Sequence, residues 1–120
     1  MNGFEYVRAV DLSAACSAAA GGVRPLGGGT SLVDLMRLRV ETPFRLVDMS
    51  DIDLYNYEMA GADGLMLGAG YRMATVANDP LLRASYPALW KSLIKAASPQ
   101  IRNVATLAGN LLQRARCSHF

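Results

Sequence analysis

The chain has 120 residues and a formal net charge of +2, from 12 Lys and Arg against 10 Asp and Glu. That length allows one domain or part of one, and so small a charge excess gives no argument for a nucleic-acid or membrane-surface partner. No apolar run approaches the ~20 residues that span a bilayer, no basic-then-apolar signal peptide opens the sequence, and Cys16 and Cys117 alone make no disulfide scaffold.

Phe4 to Arg8 alternates apolar and polar residues and predicts a short strand. Asp11 and Ser13 are candidate caps for a helix over about Ala14 to Ala20, ended by Gly21 and Gly22. Cys16 falls among the alanines of that helix and is expected to be a small buried core residue. Arg24 to Leu26 predicts a second strand, which runs into Gly27, Gly28 and Gly29 and then Thr30 and Ser31.

This glycine stretch organises the rest of the chain. Glycine lets the backbone adopt positive φ, expected here at Gly28, and lets a ligand come close. Thr30 and Ser31 are good N-cap types for a helix over about Leu32 to Leu38. That helix places Leu32, Leu35, Met36 and Arg39 at helical spacing and Asp34 in its first turn. A glycine turn feeding a helix start suits a phosphate or pyrophosphate, and it equally fits an ordinary surface turn. There is no Gly-Lys-Ser/Thr ending and no G-x-G-x-x-G spacing, which excludes two familiar phosphate loops. Residues 1 to 36 therefore read as a compact α/β unit, compatible with parallel strands.

Pro43 closes that unit. Arg45 to Asp48 predicts a buried strand, Met49 to Asp53 a turn, Leu54 to Met59 a strand, Ala62 to Gly64 a hairpin-type turn, and Leu65 to Ala69 the returning strand. Tyr71 to Asn78 is helix-like. Asp79 is the expected N-cap of the next helix, with Pro80 at its first position. Pro87 to Ala97 is the clearest helix, with Leu89, Trp90, Leu93, Ile94 and Ala97 on one face and Lys91 and Lys95 on another. Ser98-Pro99 is expected to break it. Gln100 to Gln113 is neither helix-periodic nor alternating. It reads as a functional loop, with polar and small residues clustered at Arg102, Asn103, Thr106, Gly109 and Asn110. The final Arg116-Cys-Ser-His-Phe120 reads as the end of a truncated or separately encoded piece. His119, the only histidine, is not expected to be catalytic.

Gly27-Gly-Gly-Thr-Ser-Leu, the Val47-Asp48 strand and Ile101-Arg-Asn-Val-Ala-Thr-Leu-Ala-Gly-Asn-Leu, in this order, resemble one family. It is the FAD-binding subunit of the molybdenum hydroxylases: xanthine dehydrogenase, carbon monoxide dehydrogenase and aldehyde oxidoreductase. The resemblance covers essentially the whole chain. Ala108 stands where most of the family has a glycine. Leu111 to Cys117 is similar to the periplasmic aldehyde oxidoreductase branch, whose FAD subunit also holds a 4Fe–4S cluster and also tolerates alanine at that position.

The resemblance implies an α/β (α+β) chain, the N-terminal part of a two-subdomain PCMH-type FAD-binding fold. Residues 1–53 would be the first subdomain and 54–120 the incomplete opening of the second. It implies FAD contacts from Pro25, Leu26, Gly27, Gly28, Gly29, Thr30 and Ser31, with Gly28 to Ser31 on the pyrophosphate. Ala105, Thr106, Gly109, Asn110 and Leu112 would form the facing wall. Cys117 would be a cluster ligand in a longer chain only, since a cluster needs a full set of thiolates. Arg102 would add positive charge or form a structural ion pair.

The implied partners are a molybdenum-cofactor large subunit and a 2Fe–2S small subunit, with electrons passing through FAD to an external acceptor. No acid–base pair or nucleophile is expected, because the flavin carries the chemistry. A cytoplasmic location is the default, and export with a signal-bearing partner would make it periplasmic. A non-catalytic interaction fragment that does not retain flavin alone, and a phosphate-binding module without redox work, are the competing readings. Two glycine-containing loops are more than a single phosphate needs, which argues against the last.

Overall fold

The computed structural model describes residues 1–18, 21–54, 57–59 and 64–114. It opens with β1 (Glu5–Arg8), α1 (Leu12–Ala18), β2 (Val23–Leu26), α2 (Leu32–Arg37) and β3 (Arg45–Asp48). The three strands form a parallel sheet in the order β1-β3-β2. Val7 and Pro25 both lie opposite Val47. Parallel neighbours need crossovers, and α1 and α2 provide them.

Central β3 is the most buried of the three strands, with Leu46, Val47 and Asp48 all buried. Val47 joins Ala9, Ala15, Val23 and Ile52 in one core. Leu46, on the opposite face by strand alternation, is 3% exposed, so β3 is covered on both sides. α1 begins where Asp11 Oδ1 accepts the Ala14 N–H at 2.7 Å. Ala15 faces the core and Cys16 does not: it is an exposed free thiol, contrary to expectation. One residue advances a helix by about 100°, so a neighbour of the buried position on a short helix turns to solvent. α2 stops because Arg39 takes a left-handed φ of 58°, and the Val40 and Glu41 N–H groups close back on the Leu35 carbonyl at 2.9 and 3.2 Å. Arg39 therefore ends the helix rather than extending its face.

The second half holds β4 (Tyr57–Met59), β5 (Leu65–Leu67), α3 (Met73–Ala77), α4 (Pro80–Ser85), α5 (Pro87–Lys95), α6 (Pro99–Val104) and α7 (Leu107–Leu111). β4 and β5 pair antiparallel, Glu58 opposite Met66. The predicted turn at Ala62 and Asp63 lies outside the described residues. Asp79 caps α4 as expected, accepting from the Leu81 and Leu82 N–H groups at 2.7 and 3.3 Å, with Pro80 next.

A second core gathers Met73, Val76, Ala77, Leu82, Leu93 and Ala105. Trp90 packs against it and donates its indole N–H to the Ala77 carbonyl at 3.0 Å. Leu89 is largely outside this core, and Ala97 is not helical: its φ is 50°.

Gln100 to Gln113 is not a loop. Ser98 accepts the Ile101 N–H at 3.3 Å and Pro99 takes the first position of α6, so Ser-Pro starts a helix as well as ending one. Thr106 caps α7, accepting the Gly109 N–H at 3.1 Å. Each helix is too short to print a 3.6-residue period in the sequence.

Candidate FAD site

A cavity of about 650 Å³ lies where the glycine loop between β2 and α2 meets the Thr106 segment between α6 and α7. The glycines are required by proximity more than by flexibility. A Cβ on Gly27 would lie 2.7 Å from Thr106 Oγ1, and one on Gly28 only 2.1 Å from the Val104 carbonyl oxygen. Positive φ falls at Gly29, at 74°, and not at Gly28 as expected. Ser31 occupies the N-cap position of α2 without a side-chain capping bond and lines the cavity beside Thr30.

The facing wall is braced by backbone bonds. Met73 N–H donates to the Ala105 carbonyl at 2.9 Å, Leu107 N–H to Tyr71 at 2.9 Å and Ala108 N–H to Ala69 at 3.1 Å. Arg72 pairs with Thr106 in an isolated antiparallel bridge, and its guanidinium donates to the Val104 carbonyl. That carbonyl is the one that crowds Gly28.

Met49 and Ser50 line a third side. Met49 N–H bonds to the Leu26 carbonyl at 3.0 Å. Ser50 is held by Asp48, whose Oδ1 accepts its N–H at 2.9 Å and its hydroxyl at 2.6 Å. Tyr6 donates its hydroxyl to the other carboxylate oxygen. Burial alone would raise the Asp48 pKa. The Ser50 and Tyr6 hydroxyls, the Ser50 N–H and the Arg8 charge outweigh burial and hold it below the ordinary carboxylate range.

Of the residues singled out in the sequence, Pro25, Gly27, Gly28, Gly29, Thr30, Ser31, Thr106, Gly109 and Leu112 line this cavity. Leu26 lies under the loop in β2, with its Cδ1 3.4 Å from where a Gly29 Cβ would be. Ala105 is in the core, 6% exposed. Asn110 accepts from Gln113 Nε2 at 3.1 Å and is not on the wall. Arg102 neither faces the cavity nor forms an ion pair among the described residues: it donates to the Ala96 and Ala97 carbonyls at 3.0 and 2.9 Å, closing the end of α5. Cys117 lies outside the described residues.

The sequence reading missed Arg72, Arg114 and the Arg24–Glu41 pair, joined at 3.1 Å, all on the cavity. No local motif marks Arg72. Only the pairing of residue 72 with residue 106 brings it there.

The residues present fit a dinucleotide carrying a pyrophosphate. Backbone-rich glycines and two hydroxyls suit phosphate oxygens, and Leu12, Leu32, Leu35, Met49 and Leu54 offer apolar surface to flat rings. Residues 2–120 match the family described as "FAD binding domain in molybdopterin dehydrogenase". The chain belongs to this family.

Among relatives of this FAD-binding domain is the "Aldehyde oxidoreductase FAD-binding subunit PaoB" of Escherichia coli (strain K12). It is 44% identical over 99 residues, covering 82% of this chain and 31% of the relative. The "Glyceraldehyde dehydrogenase medium chain" of Sulfolobus acidocaldarius is 30% identical over 108 residues, 88% of this chain and 38% of the other. A solved structure titled "Reconstituted CO dehydrogenase from Oligotropha carboxidovorans" superposes with a TM-score of 0.85 at 32% identity, over 91% of this chain and 39% of that one. The chain thus spans roughly a third, 31–39%, of the length of these proteins. The mixed α/β fold expected from the sequence is the one found.

Proposed function

We propose that this chain supplies the pyrophosphate-binding part of the FAD site in an oxidoreductase of the molybdopterin dehydrogenase family. The carrying observation is the meeting of two sequence-distant walls, Gly27–Ser31 and Thr106–Gly109, across one cavity. A surface turn would have no need to press its backbone against a carbonyl 76 residues further along the chain, from Gly28 to Val104. Bound FAD would supply the redox link between iron–sulfur clusters of a small subunit, reduced from a molybdenum-cofactor large subunit, and an external acceptor.

The chain's own residues bind and orient. The glycine loop and the Thr30 and Ser31 hydroxyls hold phosphate oxygens, and the Thr106 segment closes the opposite side. Asp48 fixes Ser50 at the cavity edge. The two separate buried clusters, within residues 9–54 and 65–107, support reading residues 1–53 as one subdomain and 54–120 as the start of another. Titration of FAD into the purified protein tests the proposal. Saturable binding that quenches flavin fluorescence, lost in Gly28→Val, is expected. Flavin retention unchanged by that substitution would overturn it.

A further inference from the structure

We propose that Arg72 is the residue by which this cavity recognises the negative charge of a pyrophosphate, so that it sets the preference of the site for phosphate-bearing ligands. This rests on the FAD reading above and adds to it a charge that neither loop contains. The glycines, Thr30, Ser31 and Thr106 offer hydrogen bonds but no net charge.

The cavity is lined by four charged side chains besides these: Arg24, Glu41, Arg72 and Arg114. Arg24 and Glu41 neutralise each other, with both guanidinium contacts at 3.1 Å. Arg114 is exposed and lies beyond α7. Arg72 is half-buried, and among the described residues no carboxylate pairs with it.

Its placement is fixed twice. Its backbone bridges to Thr106, and the next N–H, from Met73, is bonded to the Ala105 carbonyl. Its Nη1 donates to the Val104 carbonyl oxygen, the atom that a Gly28 Cβ would meet at 2.1 Å. The guanidinium therefore stands against the seam between the two walls. A guanidinium carries five N–H donors in a planar fork, and one bond to a carbonyl leaves others for an anion. In a cavity lined largely by apolar side chains that charge is less screened than at the open surface. Holding it in place beforehand also spares the ligand the cost of ordering a long side chain.

The test compares ligands with and without phosphate. FAD, ADP, adenosine and riboflavin are titrated into the purified protein and into Arg72→Gln, Arg72→Lys and Lys91→Gln, the last an exposed cation on α5 away from the cavity, with a thermal melt of each. Arg72→Gln is expected to weaken FAD and ADP about tenfold or more, as for loss of a charged hydrogen bond. Adenosine and riboflavin should change little. Arg72→Lys should recover part of the loss, and Lys91→Gln should leave all four ligands near wild type.

An equal loss for adenosine and ADP would overturn the proposal, since it would show a shape role instead. Unchanged ADP affinity in Arg72→Gln would overturn it too. If the glutamine variant melts far below wild type, the lysine variant decides: ADP binding weakened relative to adenosine supports the proposal, and equal effects reject it. A well-folded wild type that binds neither FAD nor ADP would reject the FAD reading itself, which is a different result from any of these.

Discussion

The Gly28 Cα faces the Val104 carbonyl so closely that an added Cβ would lie 2.1 Å from the oxygen and 2.7 Å from the carbonyl carbon. The obstacle is backbone, which cannot swing away as a side-chain tip can. Gly28→Ala should destabilise the protein by about 1–3 kcal/mol through overpacking and should open the seam between the two walls. Thermal melting with and without FAD checks this: both the melt and the ligand-induced rise should fall. Gly3→Ala, with nothing within 4 Å of its Cβ, is the neutral control.

Thr106 caps α7 on the facing wall through its hydroxyl, which accepts the Gly109 N–H at 3.1 Å while its own residue is 7% exposed. Thr106→Val keeps the shape and removes the acceptor. The loss of this cap should cost about 1 kcal/mol, read as a shift in the denaturant midpoint without a change in slope. A flavin affinity that falls further than the stability change explains would place the hydroxyl in ligand contact as well.

Leu82 is fully buried at the centre of the second core. Leu82→Ala should cost about 2–5 kcal/mol, as large-to-small core changes do. Equilibrium unfolding measures it. A cost under about 1 kcal/mol would mean that α4 is not anchored as described.

Asp48 makes stability depend on acid. Its folded pKa is lowered, so its contribution is present above the unfolded carboxylate value and is lost as pH falls through the lower folded value. Unfolding free energy should therefore decline below about pH 4. Asp48→Asn should be less stable at neutral pH and should show a shallower decline in acid. Parallel curves for the two proteins would rule out Asp48 as a source of the slope.

Cys16 is exposed on α1. In a Cys117→Ser protein, a thiol reagent should label Cys16 in the folded state, without denaturant, at the rate of an accessible thiol. Protection until unfolding would contradict its placement.

The parts of the structure readable in the sequence are those where a local rule and the tertiary fold agree. Arg45 to Asp48 has an apolar Leu-Val centre after a proline break and became the central strand, and Asp79-Pro80 carries both halves of a helix start. The glycine loop alone fits an ordinary turn equally well, and it became readable as a candidate site only together with the second stretch, Ile101 to Leu111. What was not readable depends on partners far along the chain. Gly28 looked like a φ > 0 position because no local signal shows that Val104 lies against it. Ser98-Pro99 ends one helix and begins the next, and composition alone cannot distinguish the two. Arg72 has no motif at all, because its location follows from a bridge to residue 106.

The long separation between the two walls also sets an order of events during synthesis. The glycine loop and its parallel sheet need only the first 48 residues, whereas the opposing wall needs the chain through Leu111. At ribosomal rates of ~5–20 residues per second, several seconds pass between the two. In that interval the nascent protein carries one face of a site with nothing across from it, and its residues at Gly27 and Gly28 are open to water. Closure then comes as a late, long-range step of high contact order. A nucleotide present at that moment stabilises the joined state by mass action, so riboflavin supply during expression should govern how much protein reaches its final packing.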